Sequence, residues 1–285
     1  MKTSVIIPSY NHEKYIADAI RSVLHQDHSD LELIVVDDGS SDRSIEAIES
    51  VFGEFPSAQT RLHRQSNQGA HSAINQGIEL ASGELITLLN SDDSYAPDRL
   101  DHLLAAAEKQ EIFFICTGVN FIDESGEALN ADHAHSAWYS SMADEIENSP
   151  TFGFSLLRHN ISVTSGNFAF SRALYDRVGP FADYKFCHDW DFMMRATRLV
   201  EPQFIDLPLL NYRAHGSNST HALRDIQEQE VTAALNCFLR LCAQEGAPNE
   251  LAPCPENWES FFEVFARKNV FHFNSRSIAS YIEAN

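Results

Sequence analysis

The stretch from Leu31 to Ser40, Leu-Glu-Leu-Ile-Val-Val-Asp-Asp-Gly-Ser, decides the fold class of this chain. Its first six residues are mostly apolar and partly β-branched, which predicts a buried strand. The Asp-Asp-Gly-Ser that follows is a turn sequence and predicts that the strand ends there. Ser41 or Asp42 can then cap a helix that carries Ile45 and Ile48. The stretch therefore predicts one strand followed by one amphipathic helix.

The same unit occurs on both sides of this stretch. Upstream, the β-branched run from Ser4 to Ile7 precedes a helical pattern that begins near Tyr15. Downstream, the run from Leu85 to Leu89 precedes a helical pattern led by Pro97. Strands that alternate with helices form βαβ crossovers, which build a mostly parallel sheet with ligands bound beyond the carboxyl ends of its strands. We therefore expect an α/β fold with polar side chains gathered at those ends.

The composition disfavours some partners and favours a reducing compartment. The 285 residues, 44% of them hydrophobic, can bury a core without disulfides. A formal net charge of -21 argues against nucleic acid as a partner and gives no attraction to anionic lipid headgroups. The five cysteines are odd in number and scattered, so we expect a cytoplasmic protein. We expect neither a secretory signal nor a transmembrane helix, because no apolar run approaches about 20 residues.

The second half of the chain carries weaker signals. Ala, Ser, His and Asp dominate between Glu124 and Asn160, where we expect an insertion or a flexible loop. After Thr220 the spacing predicts helices, and the last of them carries Trp258, Phe261, Phe262 and Phe265. These aromatic residues could contact a partner or a membrane, but packing onto the rest of the chain is the more ordinary expectation.

Two acidic pairs follow predicted strands and could bind a ligand. Asp37 and Asp38 can accept hydrogen bonds from a nucleobase or a ribose, or one of them can simply cap the next helix. Asp92 and Asp93 can bind Mg²⁺ or Mn²⁺, which prefer carboxylate oxygens, or can be solvated turn residues. Adjacent residues in extended backbone point to opposite sides. We therefore expect one member of the second pair to take a metal and the other a ribose.

Three further segments could complete a site. Asn67-Gln68-Gly69 opens a helix of small residues, which would let backbone approach a ligand closely or would merely pack on the sheet. Asp189 lies at a predicted helix start, where it could be a base or a cap, and Asp191 should lie on a different face. His215, in a Gly/Ser-rich loop, could bind a metal and its diphosphate or be simply exposed.

Taken in this order, six segments of the chain resemble those of family 2 glycosyltransferases. The segments are Ser4 to Asn11, Asp37 to Ser40, Asn67 to Gly69, Asn90 to Asp93, His188 to Asp191 and Tyr212 to His215. The resemblance spans Thr3 to Ser219 and implies a GT-A fold, a Rossmann-like and mostly parallel sheet flanked by helices, here with a helical C-terminal extension. It also implies a nucleotide-sugar donor, Mn²⁺ or Mg²⁺, and inversion at the anomeric carbon.

Carried over by position, the resemblance implies a role for each candidate residue. The residues that would bind the nucleotide are Pro8, Tyr10, Asp38, Asn67 and Gly69. Asp92 would contact the ribose, Asp93 the metal, and His215 the metal or the diphosphate. Asp189 would be the base that activates the acceptor hydroxyl. Many relatives write the metal motif D-x-D, and Asn90 holds its first position here, so either Asp92 or Asp93 is the principal ligand and we favour Asp93.

The resemblance also divides the chain and indicates its substrates. Residues 1–220 would be the catalytic domain, with a nucleotide-binding half at about 1–120 and an acceptor-side half at about 121–220, and residues 221–285 would be the extension. We expect a UDP-sugar as donor and a glycan or lipid-linked intermediate of cell-surface polysaccharide synthesis as acceptor. A lipid-linked acceptor would bring the protein to the inner face of the membrane. No oligomeric state is indicated.

Other classes of protein fit the sequence less well. A nucleotidyltransferase usually needs a Gly-rich basic loop near the first strand, which is missing here. A dinucleotide-binding dehydrogenase needs G-x-G-x-x-G where this chain has Pro8-Ser9-Tyr10-Asn11. A nucleotide-binding or scaffold protein that kept the fold and lost turnover is the third alternative, which Asn90 makes slightly less remote.

Overall fold

A computed structural model of the chain describes residues 1–216, 224–258 and 261–262. Its first half alternates strand and helix as expected, from a first strand at Thr3 to a fourth at Leu85. The elements are β1 (Thr3–Ser9), α1 (Ile16–Leu24), β2 (Leu31–Asp37), α2 (Ser44–Glu54), β3 (Gln59–Arg64), α3 (Ala70–Leu80) and β4 (Leu85–Leu88). Asp37 ends β2 and Asp38 follows it directly, whereas Asp92 and Asp93 lie in the turn between the end of β4 and the start of β5.

The second half adds shorter strands and more helix. The elements are β5 (Ser94–Tyr95), α4 (Arg99–Ala107), β6 (Phe114–Ile122), α5 (Ala134–Asn148), α6 (Phe152–Leu156), β7 (Ala169–Ser171), α7 (Arg172–Val178), α8 (His188–Thr197), β8 (Gln203–Arg213) and α9 (Arg224–Glu245). We expected an insertion or a flexible loop over 124–160, and the flexible loop is wrong for Ala134–Asn148 and Phe152–Leu156, which form α5 and α6. Few large apolar residues mark the Ala- and Ser-rich α5, so its helical spacing is hard to recognise in sequence.

The eight strands of the described residues form one sheet in the order β3-β2-β1-β4-β7-β6-β8-β5. The pairs β3–β2, β2–β1 and β1–β4 are parallel. The strand β7 runs antiparallel to both β4 and β6, and β8 pairs parallel with β6 and antiparallel with β5. The expected α/β sheet flanked by helices is confirmed, with a parallel half from the βαβ crossovers and a mixed half beyond β4.

Both faces of the sheet are covered by helices. Along β1, Val5 and Ile7 pack into one apolar cluster and Ile6 packs into another, as alternation along a strand requires. The helices α1, α2 and α4 cover the first face, and α3, α6, α7, α8 and α9 cover the second. Strands buried on both faces read as continuous apolar runs, which explains why β1 and β2 are easy to recognise in the sequence.

The helical C-terminal extension begins inside the second apolar cluster. Val231, Leu235 and Phe238 of α9 are almost fully buried there with Trp190 and Phe192 of α8. After α9, Phe262 is also buried and Trp258 is partly buried against the same cluster, whereas Phe261 is 43% exposed and Phe265 lies outside the described residues. The packing expected for the aromatic residues therefore holds for Trp258 and Phe262. Among the described helices, none is both long and apolar enough to cross a membrane.

Candidate active site

A cleft of about 880 Å³ opens beyond the carboxyl ends of β1, β2 and β4. Its lining brings together residues that lie far apart in the sequence. Among those predicted for the site, Pro8, Tyr10, Asp38, Asn67, Gly69, Asp92 and Asp189 line the cleft. Residues after position 120 also line the cleft, among them Trp138 of α5, exposed by 46%, and Asn160.

The loop after β2 is held by Asp38 and requires glycine at position 39. The Oδ1 atom of Asp38 accepts hydrogen bonds from Gln65 Nε2 at 2.8 Å and Gln68 N at 2.9 Å, and Oδ2 accepts one from Gly69 N at 2.8 Å. Gly39 has φ +78°, and a Cβ atom there would lie 2.9 Å from Asn67 N. Asp38 therefore orders the segment whose members Asn67 and Gly69 face the cleft.

The loop after β1 presents an aromatic ring to the same part of the cleft. Tyr10 is 48% exposed and lines the cleft beside Pro8. The next residue, Asn11, has φ 54° and accepts a hydrogen bond from Ser41 N at 2.8 Å through Oδ1, while its own N–H donates to Ser40 Oγ at 2.9 Å. These bonds join the loops after β1 and β2, so the Tyr10 ring is presented from a fixed backbone.

Two histidines and one aspartate form a group with the donors of a metal site. His215 Nε2 lies 3.0 Å from Asp92 Oδ2, and His12 Nε2 lies 3.9 Å from the same oxygen. The ligand atoms of all three side chains lie within 4.8 Å of one another. His12 Nδ1 is 2.7 Å from Ser91 Oγ, which turns Nε2 towards Asp92, the kind of outer contact that orients a metal-binding imidazole.

The electrostatics of Asp92 favour the ionised carboxylate. Burial opposes its ionisation, but the hydrogen bond from His215 and the charges of His12 and His215 together lower the pKa of Asp92. A carboxyl group binds a metal in its ionised form and an imidazole in its neutral form, so the ionised Asp92 is ready for a cation. His12 was not recognised in the sequence, where its only signal is its position just after the first strand.

Asp93 lies on the other side of the backbone from this group, under β8. It is 1% exposed, and its Oδ1 accepts a hydrogen bond from Arg213 N at 2.9 Å. Burial and the neighbouring charge of Asp92 raise the pKa of Asp93 well above its ordinary value. The expectation that the adjacent carboxylates face opposite ways agrees with this arrangement, but the geometry pairs Asp92, rather than Asp93, with His215. We therefore transfer the proposed metal role from Asp93 to Asp92.

Asn90, the departure from D-x-D, joins the segment after β4 to Thr164 and Ser165. Its Nδ2 donates to Thr164 Oγ1 and its Oδ1 accepts from Ser165 Oγ at 3.3 Å. The backbone approaches closely here, because a Cβ atom at Gly166 would lie 2.9 Å from Asn90 N. Asn90 therefore has a structural use in this chain, which accounts for an amide at that position.

Asp189 lies in the first turn of α8 with its carboxylate in the cleft. Its Oδ2 accepts a hydrogen bond from Asn160 Nδ2 at 2.9 Å and its Oδ1 accepts one from Trp190 N at 2.7 Å. Burial raises the pKa of Asp189 in spite of these bonds. A carboxylate with a raised pKa is a better proton acceptor, which suits a general base. Asp191 instead pairs with Arg195 at 2.8 Å, which confirms that the two aspartates lie on different faces.

His188 stands beside Asp189 at the start of α8. It lines the cleft, and burial lowers the pKa of its imidazole. The neutral form is therefore favoured near pH 7, so His188 brings little charge to Asp189. Asn160 was missed in the sequence because it lies in the segment 124–160, which carries no readable pattern.

These features agree with what known proteins share with this chain. The model of the family described as Glycosyl transferase family 2 matches residues 4–179, so the chain belongs to the family 2 glycosyltransferases.

Individual relatives match only part of this chain. An uncharacterized glycosyltransferase of Nostoc sp. is 35% identical over 130 residues, which are 46% of this chain and 40% of that protein. The putative teichuronic acid biosynthesis glycosyltransferase TuaG of Bacillus subtilis is 34% identical over 130 residues, which are 45% of this chain and 50% of that protein. The matched region thus spans half or less of the length of these two relatives.

Solved structures with the same fold cover nearly the whole chain. S. aureus TarS 1-349 in complex with UDP-GlcNAc has a TM-score of 0.68 at 20% identity, over 95% of this chain and 75% of that one. The mannosyltransferase PcManGT from Pyrobaculum calidifontis, in complex with GDP-Man and Mn2+, has a TM-score of 0.68 at 17% identity, over 99% and 74%. At these identities the likeness establishes the GT-A fold.

Proposed function

We propose that this protein transfers a sugar, with inversion, from a nucleotide-sugar donor to an acceptor hydroxyl in cell-surface polysaccharide synthesis, and that it needs a divalent metal. The observation that carries the proposal is that one cleft is lined both by Asp189 and by His12 and Asp92, two members of the His12–Asp92–His215 group, whose third member His215 is buried behind Asp92. TuaG supports the polysaccharide role, and the UDP-GlcNAc and GDP-Man complexes support the donor class.

The donor's nucleotide would lie against the loops after β1 and β2. The exposed ring of Tyr10 can stack on a nucleobase, and Pro8 extends the same surface. The backbone at Asn67 and Gly69, ordered by Asp38, would form the edge of this pocket. We keep a UDP-sugar as the donor to test first.

The metal would be held by His12, Asp92 and His215. Two imidazoles and one carboxylate form a softer donor set than the all-oxygen set that Mg²⁺ prefers, so we propose Mn²⁺ over Mg²⁺. When bound, a divalent cation neutralises charge that develops on the leaving diphosphate. Asp92 would then bind the metal and would not contact the ribose, the role expected for it from the sequence.

Asp189 would act as the base. It takes the proton of the acceptor hydroxyl while that oxygen forms a bond to the anomeric carbon, and the bond from that carbon to the diphosphate breaks with its electron pair leaving on the diphosphate. Asn160 holds the carboxylate in place at 2.9 Å. Attack opposite the leaving group inverts the anomeric centre. A carbohydrate acceptor would approach from the acceptor-side wall, where the exposed Trp138 offers an aromatic face.

A donor screen tests this proposal. Release of nucleoside diphosphate from UDP-, GDP- and dTDP-sugars should be detected with Mn²⁺ for at least one donor and be lost with a chelator. The matched pair for control is Asp189→Asn, which removes the base, and Asp191→Asn, which leaves the cleft intact. Suppose instead that the protein binds a nucleotide-sugar but turns none over in the presence of Mn²⁺ and a range of glycan acceptors. That result would favour the alternative of a nucleotide-binding or scaffold protein that kept the fold and lost turnover.

A further inference from the structure

Glu230, in the C-terminal extension, binds the backbone immediately before α8. Its Oε1 accepts a hydrogen bond from Lys185 N at 3.1 Å, and its Oε2 accepts from Phe186 N at 2.7 Å and Cys187 N at 3.1 Å. We call this arrangement the Glu230 clamp. One carboxylate thus binds three successive N–H groups from 43 to 45 residues away in the chain.

The clamp supplies an interaction that the sequence around α8 lacks. The residue at the N-cap of α8 is Cys187, whose side chain makes no capping hydrogen bond to this helix, all of which is described. A thiol is a weak acceptor, whereas Ser, Thr, Asp or Asn usually caps. A carboxylate near a helix N-terminus is also favoured by the helix dipole, and hydrogen bonds to a charged acceptor are stronger than neutral ones. Glu230 therefore holds the entry to α8 from outside.

The position of Glu230 is itself fixed by packing. The next residue, Val231, is fully buried, and Leu235 one turn later is 1% exposed, both in the cluster that contains Trp190 and Phe192 of α8. The helices α8 and α9 therefore pack directly against each other, and the clamp lies at one end of that contact. One turn before Glu230, Gln227 lines the cleft. The extension thus reaches the site rather than only covering the domain.

We propose that Glu230 is a positioning residue for Asp189. Asp189 lies two residues after Cys187, in the first turn of α8, so the path of the clamped segment sets where its carboxylate projects. Asn160 orients the side chain, and the Glu230 clamp orients the backbone that carries it. The proposal rests on the function proposed above. It makes the C-terminal extension part of the catalytic machinery of residues 1–220.

The test compares Glu230→Gln with Glu228→Gln, a matched change at an exposed position of the same helix. The amide of Gln can turn only its oxygen to N–H donors, so the clamp loses its charge and one acceptor atom. We expect kcat of Glu230→Gln, calculated from the concentration of protein that binds nucleotide, to fall about 10- to 100-fold. The reason is that a misplacement of a reacting group by about 1 Å can lower the rate about 10²-fold. The donor KM should stay within about twofold. Glu228→Gln should match the wild type.

Two further measurements separate positioning from a general loss of structure. Glu230→Asp keeps the charge but is one methylene too short, so kcat should fall with little change in the unfolding midpoint. In the Asp189→Asn background, Glu230→Gln should lower kcat no further. If Glu230 acts only through Asp189, the effects of the two substitutions on kcat are not additive. Full wild-type kcat in Glu230→Gln, or a full additional loss in the Asp189→Asn background, overturns the inference. A wild-type protein that turns over no nucleotide-sugar refutes the proposed function instead.

Discussion

Replacement of Asp92 by Asn removes the anionic member of the His12–Asp92–His215 group. Asp92 Oδ2 is the atom within 3.0 Å of His215 and 3.9 Å of His12, so the change takes one of three ligands and the one negative charge of the group. Loss of outer partners alone typically costs about 10–100-fold in metal affinity. For loss of a direct ligand we expect at least about 100-fold, which is about 2.8 kcal/mol of binding free energy.

The neighbouring Asp93→Asn is the control, because it makes the same carboxyl-to-amide replacement one residue away. The carboxyl of Asp93 is buried, accepts one hydrogen bond from Arg213 N and has a raised pKa, so an amide oxygen can replace it with little change in the cleft. We expect its Mn²⁺ affinity to stay within about threefold of the wild type. Titration of Mn²⁺ by calorimetry, or by the spin resonance signal of the free ion, measures both variants. Lost Mn²⁺ binding in Asp93→Asn with normal binding in Asp92→Asn would refute the reassignment.

Three other outcomes are expected. Asp189→Asn should lower kcat by about 10²–10⁴-fold while nucleotide binding, followed by calorimetry, is retained; unchanged kcat would exclude Asp189 as the base. A base works only when ionised, so activity is lost as the pH falls through the pKa of Asp189. Because burial raises that pKa, the acid limb of the pH profile of kcat/KM should lie above about 4, the ordinary pKa of Asp. An acid limb at or below about 4 would contradict the assignment. Gly39→Ala should lower the free energy of unfolding, measured by denaturant titration, by about 1–3 kcal/mol, because φ is +78° and the added Cβ meets Asn67 N. The control is Gly53→Ala, where open space surrounds the Cβ position and no destabilisation by crowding is expected.

The sequence predicts the parallel half of the sheet well because the signals of its strands are local. Runs such as Leu31–Asp37 are mostly apolar and end in turn residues, so both the strand and its polar carboxyl end are recognised. Parallel pairing then brings Tyr10, Asp38 and Asp92 to one cleft without further information.

Two parts of the site could not be predicted for physical reasons. Which of Asp92 and Asp93 faces the cleft depends on the backbone path of the turn between β4 and β5, which sequence patterns do not fix to a single residue. The contacts of Asn160 and Glu230 connect segments that are far apart in the chain, and neither residue belongs to a local pattern. Such contacts appear only when the packing of α8 against its neighbours is known.

The most direct test is to determine the anomeric configuration of the transfer product and to measure transfer with and without metal. With Mn²⁺, a nucleotide-sugar donor and an acceptor glycan, proton NMR of the product should show the anomeric configuration opposite to that of the donor, and addition of a chelator should stop the reaction. A product that retains the donor's configuration, or transfer that continues at the same rate in chelator, would contradict the site proposed from His12, Asp92, His215 and Asp189.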